Sequence, residues 1–205
     1  DTKPKIMVPC WKDADRWGVA YNQGVLGGLD LQASRYEVES LGDVLASMQY
    51  GTSVKANTQG MGIPVLRMPN IKEGVIDYSD IKHVKLCKSE ADGLLLREGD
   101  ILINRTNSKE LVGKCGVFHG QGEFVFASYL IRLNAKPDKA DPDYIAAVLN
   151  GPLGRHQIDA VSRQAIGQAN INTGEIRSIM LPMPPLDVQK ELVGSLRDAM
   201  SRTDA

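Results

Sequence analysis

GDILINRTNSKELVGKCGVF, residues 99–118, is the stretch that decides the fold class, because it joins two strands through a strongly polar loop. Residues 100–104 are predicted to form a short strand with the apolar centre Ile101-Leu102-Ile103, and a second strand is predicted over residues 114–118. The loop between them carries side chains that form hydrogen bonds: Arg105, Thr106, Asn107, Ser108 and Lys109. Loops held by a rigid scaffold often carry function, so this loop is the first candidate for a binding surface.

The segments on either side complete a β-rich α+β pattern. Further strands are predicted over residues 63–68, 80–86, 124–133 and 178–182, each bounded by Gly, Asn, Asp or Pro. Apolar residues at helical spacing predict helices over residues 40–48, 142–149 and 153–161, and a last helix after the prolines at 184–185. Asp141 is the predicted N-cap of the second helix. The strands follow one another too closely for helical crossovers, so a parallel α/β sheet is not expected.

Composition places the chain among globular proteins of one domain, or one domain with an appendage. Its 205 residues are 42% hydrophobic and 24% charged. No apolar run approaches the roughly 18 residues needed to span a bilayer, and no signal peptide opens the chain, so a cytoplasmic location without a membrane partner is expected. Three cysteines without a CxxC pair predict reduced thiols. No metal site is predicted, because the pairs His83/Cys87 and Cys115/His119 lie in extended stretches, about 13 Å apart.

Net charge limits the kind of partner surface. The formal charge is −1, yet residues 51–134 carry 11 basic and 9 acidic groups, whereas both flanks are acidic. A surface for a polyanion therefore has to be a local stripe, because the overall charge supplies no steering.

Motifs that carry catalysis are missing. The sequence lacks GxxxxGK[ST], GxGxxG, GxSxG and HExxH. The Pro-Pro pair at 184–185 is followed by Leu186 rather than an aromatic residue, unlike the loop of an amino-methyltransferase. We therefore expect no catalytic residues in this chain; a small hydrolase with an unrecognised site is the weakest alternative.

Three loops, at residues 51–57, 105–109 and 163–172, hold amide, hydroxyl and cationic side chains. Arg and Lys suit guanine, Asn and Gln suit adenine, and Ser and Thr suit phosphate oxygens. The candidate DNA-binding residues are Thr52, Ser53, Lys55, Arg105, Thr106, Asn107, Ser108, Lys109, Lys114, Arg163, Gln164, Gln168, Asn170 and Asn172.

Each loop also has a structural interpretation. Its polar side chains can simply be solvated, and residues 52–55 can be a turn that ends a helix. Arg105 can form an ion pair with Asp100 or Glu110. Asn170 and Asn172 can cap the turn that follows them.

A series of motifs in fixed order resembles the target recognition domain of type I restriction-modification specificity subunits. The motifs are Gly51-Thr52-Ser53, Pro64-Val65-Leu66-Arg67 with Asn70-Ile71, residues 99–105, residues 111–114, residues 128–133, residues 167–172, and Leu181-Pro182 with Pro184-Pro185-Leu186 and Gln189. They cover residues 40–196, most of the chain.

The resemblance implies a sequence-specific DNA-recognition module that reads one half of a bipartite site and has no chemistry of its own. Adenine-N6 methylation would belong to an associated methyltransferase subunit or fused domain, which binds S-adenosylmethionine, and cleavage to a further subunit; this chain would hold no cofactor. It also implies a division into a lead-in packing on the domain (1–38), a recognition domain (39–184) and the start of a spacer and dimerisation helix (185–205).

The terminal helix is the expected protein contact. Its apolar stripe, Leu192, Val193, Leu196 and Met200, is predicted to bind a partner, with intramolecular core as the alternative. Full specificity subunits carry two recognition domains, so we expect a half-length subunit that pairs with itself or with a second half, the recognition region of a fused methyltransferase, or a fragment; a start at Asp1 favours the last two. A protein–protein interaction module acting through this helix is the alternative function.

Overall fold

The computed structural model describes residues 31, 34–72, 74–165 and 168–202, and the backbone alone of residues 163–165. The predicted lead-in therefore lies almost wholly outside the described residues. The helices are α1 Leu41–Val44, α2 Lys88–Leu94, α3 Pro142–Asn150, α4 Pro152–Val161, α5 Thr173–Arg177 and α6 Leu186–Ser201. The strands are β1 Val38–Ser40, β2 Leu45–Tyr50, β3 Ile63–Leu66, β4 Ile71–Lys72, β5 Val75–Ile76, β6 Lys82–Val84, β7 Ile101–Asn104, β8 Thr106–Asn107, β9 Cys115–Val117, β10 Val125–Phe126, β11 Leu130–Ala135, β12 Arg163–Ala165, β13 Gln168–Asn170 and β14 Met180–Pro182. The α+β class is confirmed.

The centre of the fold is an antiparallel sheet in the order β2-β11-β7-β9. Strand β7 is buried at every position. Ile101 and Ile103 point into one apolar cluster, which includes Ile145 of α3, and Leu102 points into a second cluster with Phe118 and Phe126. Successive side chains of a strand face opposite sides of its sheet, so a continuous apolar run is what burial on both faces requires. The sheet holds the end of β7 rigidly.

The predicted helix over residues 40–48 is wrong beyond Val44. Helix α1 has a single turn, and its N-cap Ser40 accepts a hydrogen bond at Oγ from the Asp43 amide, 3.2 Å away. The following residues form β2, which pairs with β11 in a register that sets Tyr50 opposite Ile131. Backbone hydrogen bonds to a neighbouring strand outweigh the weak local preference for helix. The correction places Tyr50 at the end of an edge strand.

The predicted strand over residues 124–133 is two strands. Strand β10 pairs in parallel with β3, and β11 enters the central sheet. A turn separates them, with the Leu130 amide donating to the Ala127 carbonyl oxygen at 2.9 Å. The turn leaves Ser128 half-buried and Tyr129 exposed. Both residues come to lie beside the end of β7, where Arg105 begins the polar loop.

The terminal helix α6 is attached to the domain through Gln189, which is fully buried. Its side-chain oxygen accepts from the Asp141 amide at 2.8 Å, and its amide nitrogen donates to the carbonyl oxygens of Lys139 and Pro184 at 3.0 and 2.8 Å. Asp141 caps α3, as predicted from the sequence. One side chain thus joins the first turn of α6 to the first turn of α3.

A second attachment of α6 runs through charged groups. Arg197 Nη2 lies 2.8 Å from Asp143 Oδ1, and the same carboxylate lies 3.0 Å from His119 Nε2. The other ring nitrogen of His119 bonds to Glu98. Burial lowers the pKa of His119, but hydrogen bonds to Glu98 and Asp143 outweigh it and leave the pKa above the usual 6.5.

We expect this cluster to make stability depend on pH. A histidine whose pKa is raised by folding stabilises the fold fully below its unfolded pKa and loses that contribution as pH rises through the folded value. His119→Gln should therefore lower Tm most below about pH 6.5, with the difference shrinking as the pH rises through the raised pKa of His119. His156→Gln, on an exposed histidine of α4, is the control. Equal Tm differences at all pH values would contradict the assignment.

The apolar stripe of α6 lies partly against its own domain. Val193 is buried, whereas Leu192, Leu196 and Met200 are half-buried. Val193, Leu196 and Met200 line an open cleft of about 330 Å³ formed with α3 and the β4–β5 hairpin. Val193 is thus part of the intramolecular core, as the alternative interpretation had it. A partner contact through the other three residues stays a prediction. Within the described part of the chain, no helix combines the length and apolar character needed to cross a bilayer.

Candidate nucleic-acid interface

The candidate interface is organised around Arg105, which separates β7 from β8. Its backbone N–H donates to the Tyr129 carbonyl oxygen at 3.0 Å, and its own carbonyl oxygen accepts from the Ile171 amide at 2.8 Å. These bonds tie residue 105 to the turn before β11 on one side and to the chain after β13 on the other. The backbone of Arg105 is therefore held where three parts of the sequence meet.

The guanidinium group of Arg105 has a different environment from its backbone. Its Cζ lies 4.9 Å from the centre of the Tyr50 ring, and Nη1 lies 3.5 Å from the Ser128 carbonyl oxygen, a long hydrogen bond. Among the described residues, no carboxylate forms an ion pair with it. The structural alternative for Arg105, an ion pair with Asp100 or Glu110, is thus wrong: Asp100 pairs with Arg132 at the other end of β7, at 3.4 Å.

The loop of residues 51–55 lies against the same turn. The Thr52 amide donates to the Phe126 carbonyl oxygen at 2.9 Å, and the Ser128 amide donates to the Thr52 carbonyl oxygen at 2.8 Å. A Cβ on Gly51 would lie 2.2 Å from the Phe126 carbonyl oxygen, so only glycine permits this approach. The loop does not end a helix, as the structural interpretation had it; it continues the edge strand β2.

The side chains of this first loop point partly to solvent. Thr52 Oγ1 accepts from the Val54 amide at 3.1 Å, which bends the loop, and Ser53 and Lys55 are exposed. In the described residues, neither Ser53 nor Lys55 has a side-chain bond that would withdraw it from a ligand. Both predicted contacts are therefore accessible to a ligand.

Pairing of strands that are distant in the sequence brings the third polar loop, residues 163–172, next to β8 and Arg105. A ribbon in the order β12-β13-β8 sets Asn170 opposite Thr106 and Ala169 opposite Asn107. On its other edge β13 pairs with β12, so Arg163 lies opposite Asn170. Gln164 is in β12 as well, and Gln168, at the start of β13, is exposed. The side chains of Arg163 and Gln164 lie outside the described part.

Three predicted contacts turn out to be used by the fold itself. Thr106 is buried, and its hydroxyl donates to Asn170 Oδ1 at 2.6 Å. Asn172 is the N-cap of α5: its Oδ1 accepts from the Glu175 amide at 3.0 Å, and Glu175 bonds back to the Asn172 amide at 2.8 Å. The capping alternative holds for Asn172, and the Thr106–Asn170 bond fixes the ribbon. For all three side chains, a contact to DNA stays a prediction.

The remaining predicted residues lie on or next to the turn after β8. Asn107 Oδ1 accepts from the Ser108 amide at 2.9 Å. A hydrogen bond from the Glu110 backbone amide, and a second from the Ser108 side chain, lower the pKa of the Glu110 carboxyl. Lys109 is exposed, and Lys114 is half-buried where β9 begins. The turn packs on α4 through Arg155, whose Nη1 donates to the Val112 carbonyl oxygen at 2.6 Å. Lys109 is thus presented on a supported turn.

Two aromatic residues at this surface escaped the sequence analysis. Tyr50 is 41% exposed and Tyr129 is 53% exposed, and each adjoins a predicted polar loop. Their position in the sequence next to Gly51-Thr52 and Ser128 could have marked them as candidates. The spacing of residues in the sequence, however, does not show whether an aromatic ring at the end of a strand is exposed.

Metal binding has no support in the described residues, which contain no cluster of three His, Cys, Asp or Glu side chains suited to a metal ion. Burial raises the pKa of Cys115 to about 12, so this thiol stays protonated and is a poor ligand. Cys87 is a free, exposed thiol, and Cys10 lies outside the described residues.

Comparison with known proteins identifies the same family as the motifs. Residues 33–204 match the model of the type I restriction modification DNA specificity domain. The chain is 29% identical over 165 residues to the specificity subunit assigned to the type I restriction enzyme MjaX of Methanocaldococcus jannaschii, covering 80% of this chain and 39% of that subunit. It is 28% identical over 199 residues to the EcoKI specificity subunit of Escherichia coli K12, covering 90% and 43%.

The fold agrees with this assignment. The crystal structure of the HsdS subunit from Thermoanaerobacter tengcongensis aligns with a TM-score of 0.58 at 18% identity, over 93% of this chain and 44% of that chain. The chain thus spans less than half the length of the relatives it matches. The family expected from the motif order is confirmed, and the chain belongs to the type I restriction modification DNA specificity domains.

Proposed function

We propose that this chain reads one half of a bipartite DNA site and directs an associated adenine-N6 methyltransferase to it, without performing chemistry itself. The observation that carries the proposal is the meeting of three polar loops around Arg105, an arginine for which no described carboxylate serves as partner. The first and third loops are more than 100 residues apart in the sequence. The third loop is bonded to the backbone around residue 105, and the first is bonded to residues 126–128, next to Tyr129, which accepts from the Arg105 amide. Polar loops that are distant in the sequence but held together on a rigid sheet are expected at a surface that binds a ligand.

The exposed groups suit a duplex. Arg105 is the proposed contact to guanine O6 and N7 or to phosphate, and Lys55 and Lys109 suit phosphate oxygens. Ser53 can donate to phosphate, and the Gln168 carboxamide suits an adenine edge. Further contacts are proposed for Thr52, Asn107, Ser108, Lys114, Arg163 and Gln164.

The proposal places catalysis on another polypeptide region. S-Adenosylmethionine would bind the methyltransferase subunit or fused domain, and an endonuclease would belong to a further subunit, all in the cytoplasm. Residues 39–184 would form the recognition domain, and 185–205 the start of a spacer helix. Leu192, Leu196 and Met200 are the proposed contacts to the methyltransferase, to a second specificity half or to a second copy. A purely protein-binding role leaves the assembled polar surface unexplained.

Selection of duplexes tests the proposal. The chain is incubated with 30-bp duplexes that carry a randomised centre, and bound DNA is amplified and sequenced over several rounds. We expect enrichment of one short motif. If Lys55, Arg105 and Lys109 neutralise three phosphates, a fourfold rise in salt should weaken binding by about 40-fold. Recovery of no motif, or affinity that does not change with salt, would contradict the proposal.

A further inference from the structure

We propose that Tyr50 is a positioning residue, whose ring sets the direction in which the Arg105 guanidinium meets DNA. The inference rests on the proposed function and extends it to a residue outside the predicted loops. Tyr50 is the last residue of β2, and Arg105 directly follows β7. A single row of paired residues, Tyr50, Ile131 and Ile103, crosses the sheet between the two strands. The ring and the guanidinium are therefore carried by one rigid element.

The contact itself is a cation–π interaction. The Arg105 Cζ lies 4.9 Å from the centre of the Tyr50 ring, inside the roughly 6 Å range in which a cation is attracted to an aromatic face. The ring is 41% exposed, so it is not needed to fill the core. The main effect of an exposed ring that contacts a cation is to hold that cation in one orientation.

A second arginine shows what a purely structural stack looks like. The Arg132 Cζ lies 5.4 Å from the Phe126 ring centre, and its guanidinium also donates to the carbonyl oxygens of Leu95 and Gly93 at 2.7 and 3.1 Å, to Asp100 and to Gln49. Its hydrogen bonds fix its direction inside the fold.

Arg105 lacks such a network. Within the part of the chain that the structure describes, its one side-chain hydrogen bond is the long contact to the Ser128 carbonyl oxygen, at 3.5 Å, and its buried Nε has no acceptor. A guanidinium has five N–H donors. With Nε buried and one Nη1 hydrogen directed at Ser128, the three others on Nη1 and Nη2 remain for acceptors outside the protein. The Tyr50 ring is therefore the contact that holds the group in one orientation while leaving its donors unused.

Ordering an arginine before binding lowers the entropy lost on binding. Holding one long side chain in place in advance strengthens binding by roughly two- to tenfold. Because the effect acts through Arg105, it should vanish when Arg105 is absent. This dependence separates a positioning role from a direct contact between Tyr50 and DNA.

A double-mutant cycle on the 30-bp duplex enriched in the selection tests the inference. Tyr50→Phe keeps the ring and should bind as the unmodified chain does. Tyr50→Leu should weaken binding roughly two- to tenfold. Tyr50→Leu combined with Arg105→Ala should bind no more weakly than Arg105→Ala alone. If Tyr50→Leu loses the folded state, Tyr50→Thr, which suits an exposed edge strand, takes its place in the cycle.

The outcomes distinguish the positioning role of Tyr50 from the proposed function. If Arg105→Ala weakens binding but Tyr50→Leu does not, the positioning role is overturned and the proposed function stands. Additive losses from the two substitutions would make Tyr50 an independent DNA contact and would also overturn the positioning role. Unchanged binding by Arg105→Ala would overturn both the assignment of this surface and the inference built on it.

Discussion

Replacement of Arg105 by alanine is expected to weaken binding of the enriched duplex by about 10- to 100-fold. The substitution removes a guanidinium that stacks on Tyr50 but has no carboxylate partner among the described residues. Loss of the group should cost little folding energy, since its side-chain hydrogen bond to the Ser128 carbonyl oxygen is long, at 3.5 Å. Fluorescence anisotropy with a labelled duplex measures the affinity, and thermal unfolding shows whether Tm is retained.

Arg97→Ala is the matched control. Arg97 is an exposed arginine in the turn before β7, so it lies at the opposite end of the strand that leads to Arg105. Its removal changes the net charge equally and should leave affinity within about twofold, because a distant exposed charge is screened by salt. Equal losses from the two substitutions would mean that general charge, rather than this surface, binds the duplex.

Replacement of Gln189 by alanine is expected to destabilise the fold by about 3 kcal/mol. The substitution leaves three backbone groups without their partner: the Asp141 amide and the carbonyl oxygens of Lys139 and Pro184. All three are joined at a side chain that is fully buried, so water does not replace it without rearrangement. For a domain of this size the loss corresponds to a Tm lower by about 6–12 °C.

Two variants separate hydrogen bonding from volume at this position. Gln189→Met keeps the length of the side chain but none of its hydrogen bonds, so it should lose most of the same stability. Lys190→Ala alters the neighbouring exposed residue of α6 and should change Tm little. Stability retained by Gln189→Met, together with a loss in Gln189→Ala, would assign the effect to a cavity instead.

Much of the sheet could be predicted because its signals are local. Residues 100–104 alternate between two buried faces and are bounded by turn residues, and β7 lies at that position. Asp141 caps α3 as expected, because capping depends on neighbours two and three residues away. By contrast, the helix expected over residues 40–48 gave way to β2, whose partner β11 lies more than 80 residues away.

The candidate site was predictable in its parts but not in its assembly. Each polar loop is visible in the sequence, whereas the bond from Ile171 to Arg105 joins residues whose contact no local pattern encodes. The same limit hides the structural roles of some predicted residues: Thr106 and Asn170 have side chains that can contact DNA, but their pairing across β8 and β13 turns them towards each other. Tyr50 was missed because it was placed near the end of a helix.

The two attachments of α6 determine how the helix is aimed. Gln189 and Arg197 are eight residues apart, which is about 12 Å along a helix of about 24 Å. Their partners, Asp141 and Asp143, are both at the start of α3. Because α6 is held at two points, it cannot change its direction relative to α3. With one attachment alone, a tilt of about 10° would displace the far end of the helix by roughly 3–4 Å. The angle at which α6 leaves the domain is thus set by a few residues at the beginning of α3.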